Sequence, residues 1–230
     1  MTNTYINGTF IDECPNRFLC KVSISGQEHL CYLSSSSKLA PFIDLRGSEV
    51  LLTKNANPKS KTKYTVYAVK ATEGYILLNL TAVNTLLLTE FKKPESIYKD
   101  YSQIFREKTL LDPKIKVDFL IESTPNTVIE AKGIISNSAI AYFPSMKVER
   151  AISQLNTFLS LLKKGYSVHY YVVLMSPQVQ TLKLEKNNRI FRRIFLTCIK
   201  KGMQVFFYRT TWGNGKFSLS RDLVAENSFM

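Results

Sequence analysis

Along the first third of the chain, apolar and polar residues alternate in short runs broken by turn residues: Gly8 to Asp12, Phe18 to Ser23, Glu28 to Leu33, Glu49 to Thr53, Tyr64 to Lys70 and Tyr75 to Leu80. A period of two with turns at this spacing predicts five or six short strands, enough to curl into a small barrel. The pattern then changes. Thr81 to Phe91 carries Leu86, Leu87 and Leu88 without internal Gly or Pro and predicts a short helix, stopped by Lys92-Lys93-Pro94. A strand is expected at Lys108 to Leu111. Two further runs, Lys116 to Ile121 and Thr127 to Gly133, flank Ser123-Thr124-Pro125-Asn126 and read as an antiparallel hairpin. Val148, Ile152, Leu155, Leu159 and Leu162 recur at three- and four-residue spacing, predicting an amphipathic helix from Val148 to Lys164. Ser167 to Met175 is almost continuously apolar, the pattern of a central strand covered on both faces. A last helix near Glu185 to Lys201, with Ile190, Ile194, Phe195, Cys198 and Ile199 toward the core, leads to a strand at Gln204 to Arg209.

The hairpin carries charge where plain half-buried strands carry none. Glu130 and Lys132 are two residues apart and share one face of their strand, and the four-residue connection sets Asp118 roughly opposite Glu130. Two carboxylates held that close repel unless a hard cation such as Mg²⁺ or Mn²⁺ bridges them, with waters and phosphate oxygens completing its shell. An ammonium beside them is suited to orienting a water or stabilising charge on a phosphate under attack. An edge hairpin with a cross-strand ion pair on its solvent side accounts for the same three residues. The apolar neighbours Val117, Phe119, Ile121, Val128 and Ile129 favour strands with a buried face, and so favour the metal reading. Serine or cysteine hydrolase chemistry lacks a base: the chain has only His29 and His169, the latter inside an apparent buried strand.

Composition narrows the partner. Lys plus Arg number 31 against 18 Asp plus Glu, a formal net charge of +13, which suits a polyanion. Nucleic acid, DNA or RNA, is expected over a membrane surface, because no amphipathic anchor or lipidation motif stands out. Two segments concentrate the excess. Lys54, Lys59, Lys61 and Lys63 crowd one predicted loop without an acid, and Lys183 to Arg209 holds eight basic residues against the single Glu185, including Lys186, Arg189, Arg192 and Arg193. A solvated turn and a charged outer helix face are the plain alternatives. Met1 to Asp12 lacks a basic segment followed by an apolar core, and the longest apolar run, Tyr170 to Met175, is too short to span a bilayer, so a cytoplasmic protein is expected. Cys14, Cys20, Cys31 and Cys198 form no C-x-x-C pair and read as reduced thiols.

Several separated segments resemble the sugar fermentation stimulation protein A family: Asn16-Arg17-Phe18-Leu19, Cys31, Asn57-Pro58-Lys59-Ser60-Lys61 with Tyr64-Thr65, Asn79, Ala82 and Asn84, Arg106-Glu107, Val117-Asp118-Phe119-Leu120, Glu130-Ala131-Lys132, Phe143-Pro144 and Glu149-Arg150. The resemblance implies an α+β two-domain protein: an OB-like nucleic-acid-binding β-barrel over residues 1–80, and an α/β restriction-endonuclease-like PD-(D/E)xK domain over residues 81–230. It implies catalytic positions at Asp118, Glu130 and Lys132, with Asp118 and Glu130 as metal ligands. Gln154, near where a histidine is usual, is a further candidate on its helix, and Glu107 is a candidate additional acid. The chain also departs from the family pattern. Ser34-Ser35-Ser36 replaces an asparagine- and glycine-bearing loop, Val117 an arginine, Gly133 an asparagine after the lysine, and Ser145 an aspartate. The expected function is a Mg²⁺- or Mn²⁺-dependent nuclease hydrolysing phosphodiesters; the alternative is a non-catalytic DNA-binding transcriptional regulator on the same scaffold.

Overall fold

The computed structural model describes residues 5–34, 38–57, 59–101, 103–144 and 148–229, apart from the side chains of 226–228. The Ser35 to Ser37 segment and Ser145, two of the departures noted above, lie outside the described residues.

The N-terminal strands are β1 (Ile6–Glu13), β2 (Leu19–Ile24), β3 (Gln27–Leu33), β4 (Glu49–Lys54), β5 (Tyr64–Ala71) and β6 (Gly74–Leu77). They pair in the order β3-β2-β1-β4-β5-β6, and an extra parallel pairing of β3 with β5 closes five of them into a barrel. Alternation puts Phe10, Val22, Leu33, Leu52 and Val66 inside. Register shifts between Phe10 and Asp12 and between Leu51 and Leu52 supply the curvature that closure demands. Gly8 permits it locally, because a Cβ there would stand 2.7 Å from Val22 Cγ1 and 2.9 Å from the Ser23 carbonyl. This is an N-terminal OB barrel followed by a C-terminal α/β domain.

Helix α1 (Leu80–Phe91) starts at Asn79, whose side-chain oxygen accepts from the Thr81 and Ala82 N–H groups. Beyond it lies a six-stranded sheet in the order β14-β13-β11-β9-β8-β7, built from β7 (Ile104–Leu111), β8 (Lys114–Ile121), β9 (Thr127–Ile134), β11 (Ser167–Leu174), β13 (Gln204–Gly213) and β14 (Lys216–Arg221). The three middle strands β9, β11 and β13 run parallel. The other two strands, β10 (Ile140–Phe143) and β12 (Thr181–Leu184), form a small parallel pair that periodicity did not predict. One sheet face packs on α1 and the outside of the barrel, where Val83, Leu87 and Phe91 meet Phe119, Ile129 and Tyr171 alongside Leu51 and Ala68. The other face is covered by α2 (Val148–Lys163) and α3 (Arg189–Lys200), with the short α4 (Leu223–Ser228) beside them.

Three expectations shift. The strand expected at Lys108 begins at Ile104, because Arg106 and Phe105 already pair with Phe119 and Leu120. The helix expected from Glu185 begins at Arg189, capped by the Asn188 side chain on the Phe191 N–H. Its buried stripe is Phe191, Phe195 and Cys198 at i, i+4 and i+7, which turns Ile190 outward at 56% exposure rather than into the core. All four cysteines are free. No described helix is long and apolar enough to cross a membrane.

Candidate active site

Strands β8 and β9 pair through only three residue couples, Ile121 with Thr127, Leu120 with Val128 and Phe119 with Ile129. Past Phe119 they part, β8 staying with β7 and β9 with β11. The next residue on each strand is Asp118 and Glu130. Asp118 continues the face of Leu120, and Glu130 and Lys132 continue that of Val128, so all three side chains project from one sheet face at the point of separation. Parting of the strands would orphan backbone groups, and Asp118 resolves this by accepting the Ala131 N–H at 2.8 Å.

A cleft of about 390 Å³ opens there. Asp118, Glu130 and Lys132 line it together with Asn84 from α1, Arg150 and Gln154 from α2, and Tyr170 from β11. Leu39 and Phe42, on the barrel segment between β3 and β4, form part of its rim. That segment is pinned by Glu13, whose two carboxylate oxygens accept from the Leu39 and Ala40 N–H groups at 2.8 and 3.0 Å. The barrel therefore helps to build the cleft.

Glu130 is only 5% exposed. Burial raises its pKa above the usual carboxylate range, and the neighbouring Asp118 adds to the rise; Lys132, through its charge and a hydrogen bond, and Gln154, through a hydrogen bond, act in the opposite direction. Lys132 Nζ is ion-paired with Glu130 Oε1. Asn84 Nδ2 donates to Asp118 Oδ1 at 3.0 Å. The Tyr170 phenol, opposite Glu130 in the β9–β11 register, is held well above its ordinary pKa by burial and then by the two carboxylates, and stays protonated.

The donor set suits a small hard cation: two carboxylates on one face, each with lone pairs left for a ligand, leaving room for waters and phosphate oxygens. Among the described residues no three His, Cys, Asp or Glu side chains gather into a metal-capable group. Glu107 lines the cleft, but its carboxylate is half exposed and ion-paired with Lys116 rather than joined to the other two acids.

The basic segments do not reach the cleft. Lys54 at the end of β4 and Lys59, Lys61 and Lys63 on the β4–β5 loop lie exposed on the barrel, and none forms an ion pair among the described residues. The loop is nonetheless built: Asn55 Nδ2 donates to the Thr62 carbonyl at 2.7 Å, and Thr65 Oγ1 donates to Asn55 Oδ1 at 2.6 Å. Lys186, just before α3, and Arg189, Arg192 and Arg193 in its first turns are exposed, and none lines the cleft. Sequence reading gave no site role to Asn84 or Arg150. The only signal for either was its place among the segments that carry the family resemblance, which assigned it no role.

The family described as the sugar fermentation stimulation protein RE domain matches residues 80–216, and that described as the SfsA N-terminal OB domain matches residues 13–78. A sugar fermentation stimulation protein homolog from Clostridium beijerinckii is 28% identical over 184 residues, 77% of each chain. One from Saccharolobus solfataricus is 29% identical over 199 residues, covering 86% of this chain and 76% of that one. The solved structure of Pyrococcus furiosus SfsA in complex with Ca²⁺ superposes with a TM-score of 0.77 at 16% identity, over 96% of this chain and 97% of that one. With both of its domains matched in order and nearly end to end, the chain belongs to the sugar fermentation stimulation protein family.

Proposed function

We propose that the protein is a divalent-metal-dependent nuclease of the PD-(D/E)xK type that binds DNA or RNA and hydrolyses its phosphodiester bonds. The observation that carries this reading is the convergence of Asp118, Glu130 and Lys132 on one sheet face, in a cleft opened by the separation of β8 and β9. Asp118 and Glu130 would hold the cation, Mg²⁺ or Mn²⁺; when bound, it polarises phosphoryl oxygens and lowers the pKa of a coordinated water. The Ca²⁺ complex of Pyrococcus furiosus SfsA supports a divalent ion in this family without choosing its identity. Asn84 and the Ala131 N–H fix the Asp118 carboxylate, while Gln154 and Lys132 keep Glu130 accessible to its charged form despite burial. Lys132, tethered by Glu130, presents an ammonium to charge developing on a phosphate. The exposed lysines of the β4–β5 loop and the basic face of α3 supply sequence-independent attraction to the backbone.

A second reading, a DNA-binding regulator without catalysis, is favoured by one feature: Lys132 already neutralises Glu130, so the cleft needs no cation to be stable. Incubation of purified protein with labelled single- and double-stranded DNA and RNA, in Mg²⁺, Mn²⁺ or EDTA, separates the two. The nuclease cuts only with metal and loses cleavage, but keeps binding, in Asp118→Asn and Lys132→Ala. Binding to the panel without any metal-dependent cutting would leave the regulator.

A further inference from the structure

A second concavity, an open groove of about 660 Å³, lies at the junction of the two domains. Its walls come from Tyr5 and Tyr67 of the barrel, the first turns of α1, Arg106 of β7, and the turn between β13 and β14 with Lys216 and Phe217. It borders the acid cleft. Thr81 lines both, and the successive residues Arg106 and Glu107 divide between them, Arg106 to the groove and Glu107 to the cleft. At Glu107 the backbone takes φ +53°, an unusual conformation for a non-glycine residue inside a strand.

The lining combines ring carbon with positive charge. Tyr5 and Tyr67 pack with ring centroids 5.1 Å apart, and Tyr67 and Phe217 at 5.8 Å. Arg106 and Lys216 form no ion pair among the described residues. Among the described residues no acid lines the groove. A polyanion with exposed aromatic faces matches that lining, and unpaired nucleotides are such a ligand, whereas a duplex hides its base faces in the stack. The volume falls within the roughly 300–1,000 Å³ range of sites that enclose small organic ligands.

We infer that this groove receives the unpaired nucleotides flanking the phosphate held in the acid cleft, with Arg106 and Lys216 on their phosphates and the half-buried Tyr5 and Tyr67 against their bases, backed by the buried Phe217. The inference rests on the nuclease reading and adds a single-stranded substrate, or a frayed end, to it. A strand crossing from cleft to groove passes over the start of α1 at Thr81.

The test is binding of a short labelled single strand, the duplex of the same sequence and a mononucleotide in EDTA, followed by fluorescence anisotropy across a salt series. The wild-type protein should hold the single strand more tightly than the mononucleotide. Replacing Arg106 and Lys216 together by Ala should lower the salt slope for the single strand by about 1.4, roughly 0.7 for each phosphate contact. Thr85→Leu, which narrows the groove from α1 without changing charge or adding an aromatic ring, should weaken the single strand about tenfold, the scale of one lost base contact, and the duplex by less. Single-strand affinity within twofold of wild type in both variants would overturn the groove while leaving the nuclease reading intact. Equal losses for duplex and single strand would overturn the unpaired occupant. Failure of the wild-type protein to bind any oligonucleotide would overturn both inference and proposed function.

Discussion

Gly133, immediately after Lys132 and in the place where the family resemblance implies asparagine, has a specific structural partner. A Cβ built on it would lie 2.3 Å from Met175 Sδ and 3.1 Å from Leu80 Cδ2, and Met175 is fully buried. Its φ is not positive, so the objection to a side chain is space and not backbone strain. Gly133→Ala alone forces Met175 aside in a packed core, an overpacking cost of about 1–3 kcal/mol, offset by the roughly 0.5–1 kcal/mol that alanine gains over glycine in a strand. Met175→Ala alone leaves a cavity and should cost about 2–5 kcal/mol. In the double variant the new methyl occupies space vacated by the methionine, so the two changes should couple favourably by about 1–2 kcal/mol. Urea unfolding of the four proteins closes the cycle. Additivity within about 0.5 kcal/mol would refute the reasoning, because residues that share one space cannot act independently. The same cycle bears on the proposed metal site: where Gly133→Ala displaces β9, Lys132 moves with it, and adding Met175→Ala should restore divalent-ion affinity there even though the double variant stays less stable than the wild-type protein.

His169 is buried, and its pKa is lowered to about 4 by desolvation; Tyr171 donates to the Tyr98 hydroxyl, which is itself hydrogen-bonded to His169 Nδ1. Above the unfolded value near 6.5 both states are neutral; between there and about 4 only the unfolded state gains the proton, so stability falls with falling pH by about 3 kcal/mol and then levels. The difference in unfolding free energy between the wild-type protein and His169→Phe should change across that window, and a pH-independent difference would remove His169 from the account. Replacing Lys59, Lys61 and Lys63 by Ala should flatten the salt dependence of nucleic-acid binding by roughly three contacts, whereas an unchanged slope makes the loop a solvated turn. Arg209 binds the nearly buried Asp222 through Nε at 2.8 Å and a terminal guanidinium nitrogen at 2.7 Å, and Asp222 also caps α4 through the Ala225 N–H. Arg209→Ala strands that carboxylate and should cost about 3–5 kcal/mol in unfolding experiments, where a loss under about 1 kcal/mol would mean the pair is solvated.

What the sequence determined by itself was whatever a local period can encode. The alternation of β1 to β5 sorts side chains inside and outside a barrel, the i, i+4 stripe of α2 marks its buried face, and Pro125-Asn126 between two apolar runs sets the hairpin that brings Asp118 level with Glu130. Charge composition was legible too, because every lysine counts wherever it lies. Tertiary structure alone decided which of these groups meet. Asn84 reaches Asp118 from 34 positions away, and Gln154 reaches Glu130 only because α2 crosses that face of the sheet. The basic residues of α3 remain apart from the cleft, since the Phe191–Phe195–Cys198 stripe turns them outward. The splay of β8 from β9, which makes a cleft of what would otherwise be a flat sheet, has no signature in either strand: it arises because β8 follows β7 while β9 is drawn to β11. Periodicity records which way a side chain points along its own element, whereas its environment depends on distant segments whose approach is set by long-range pairing and packing.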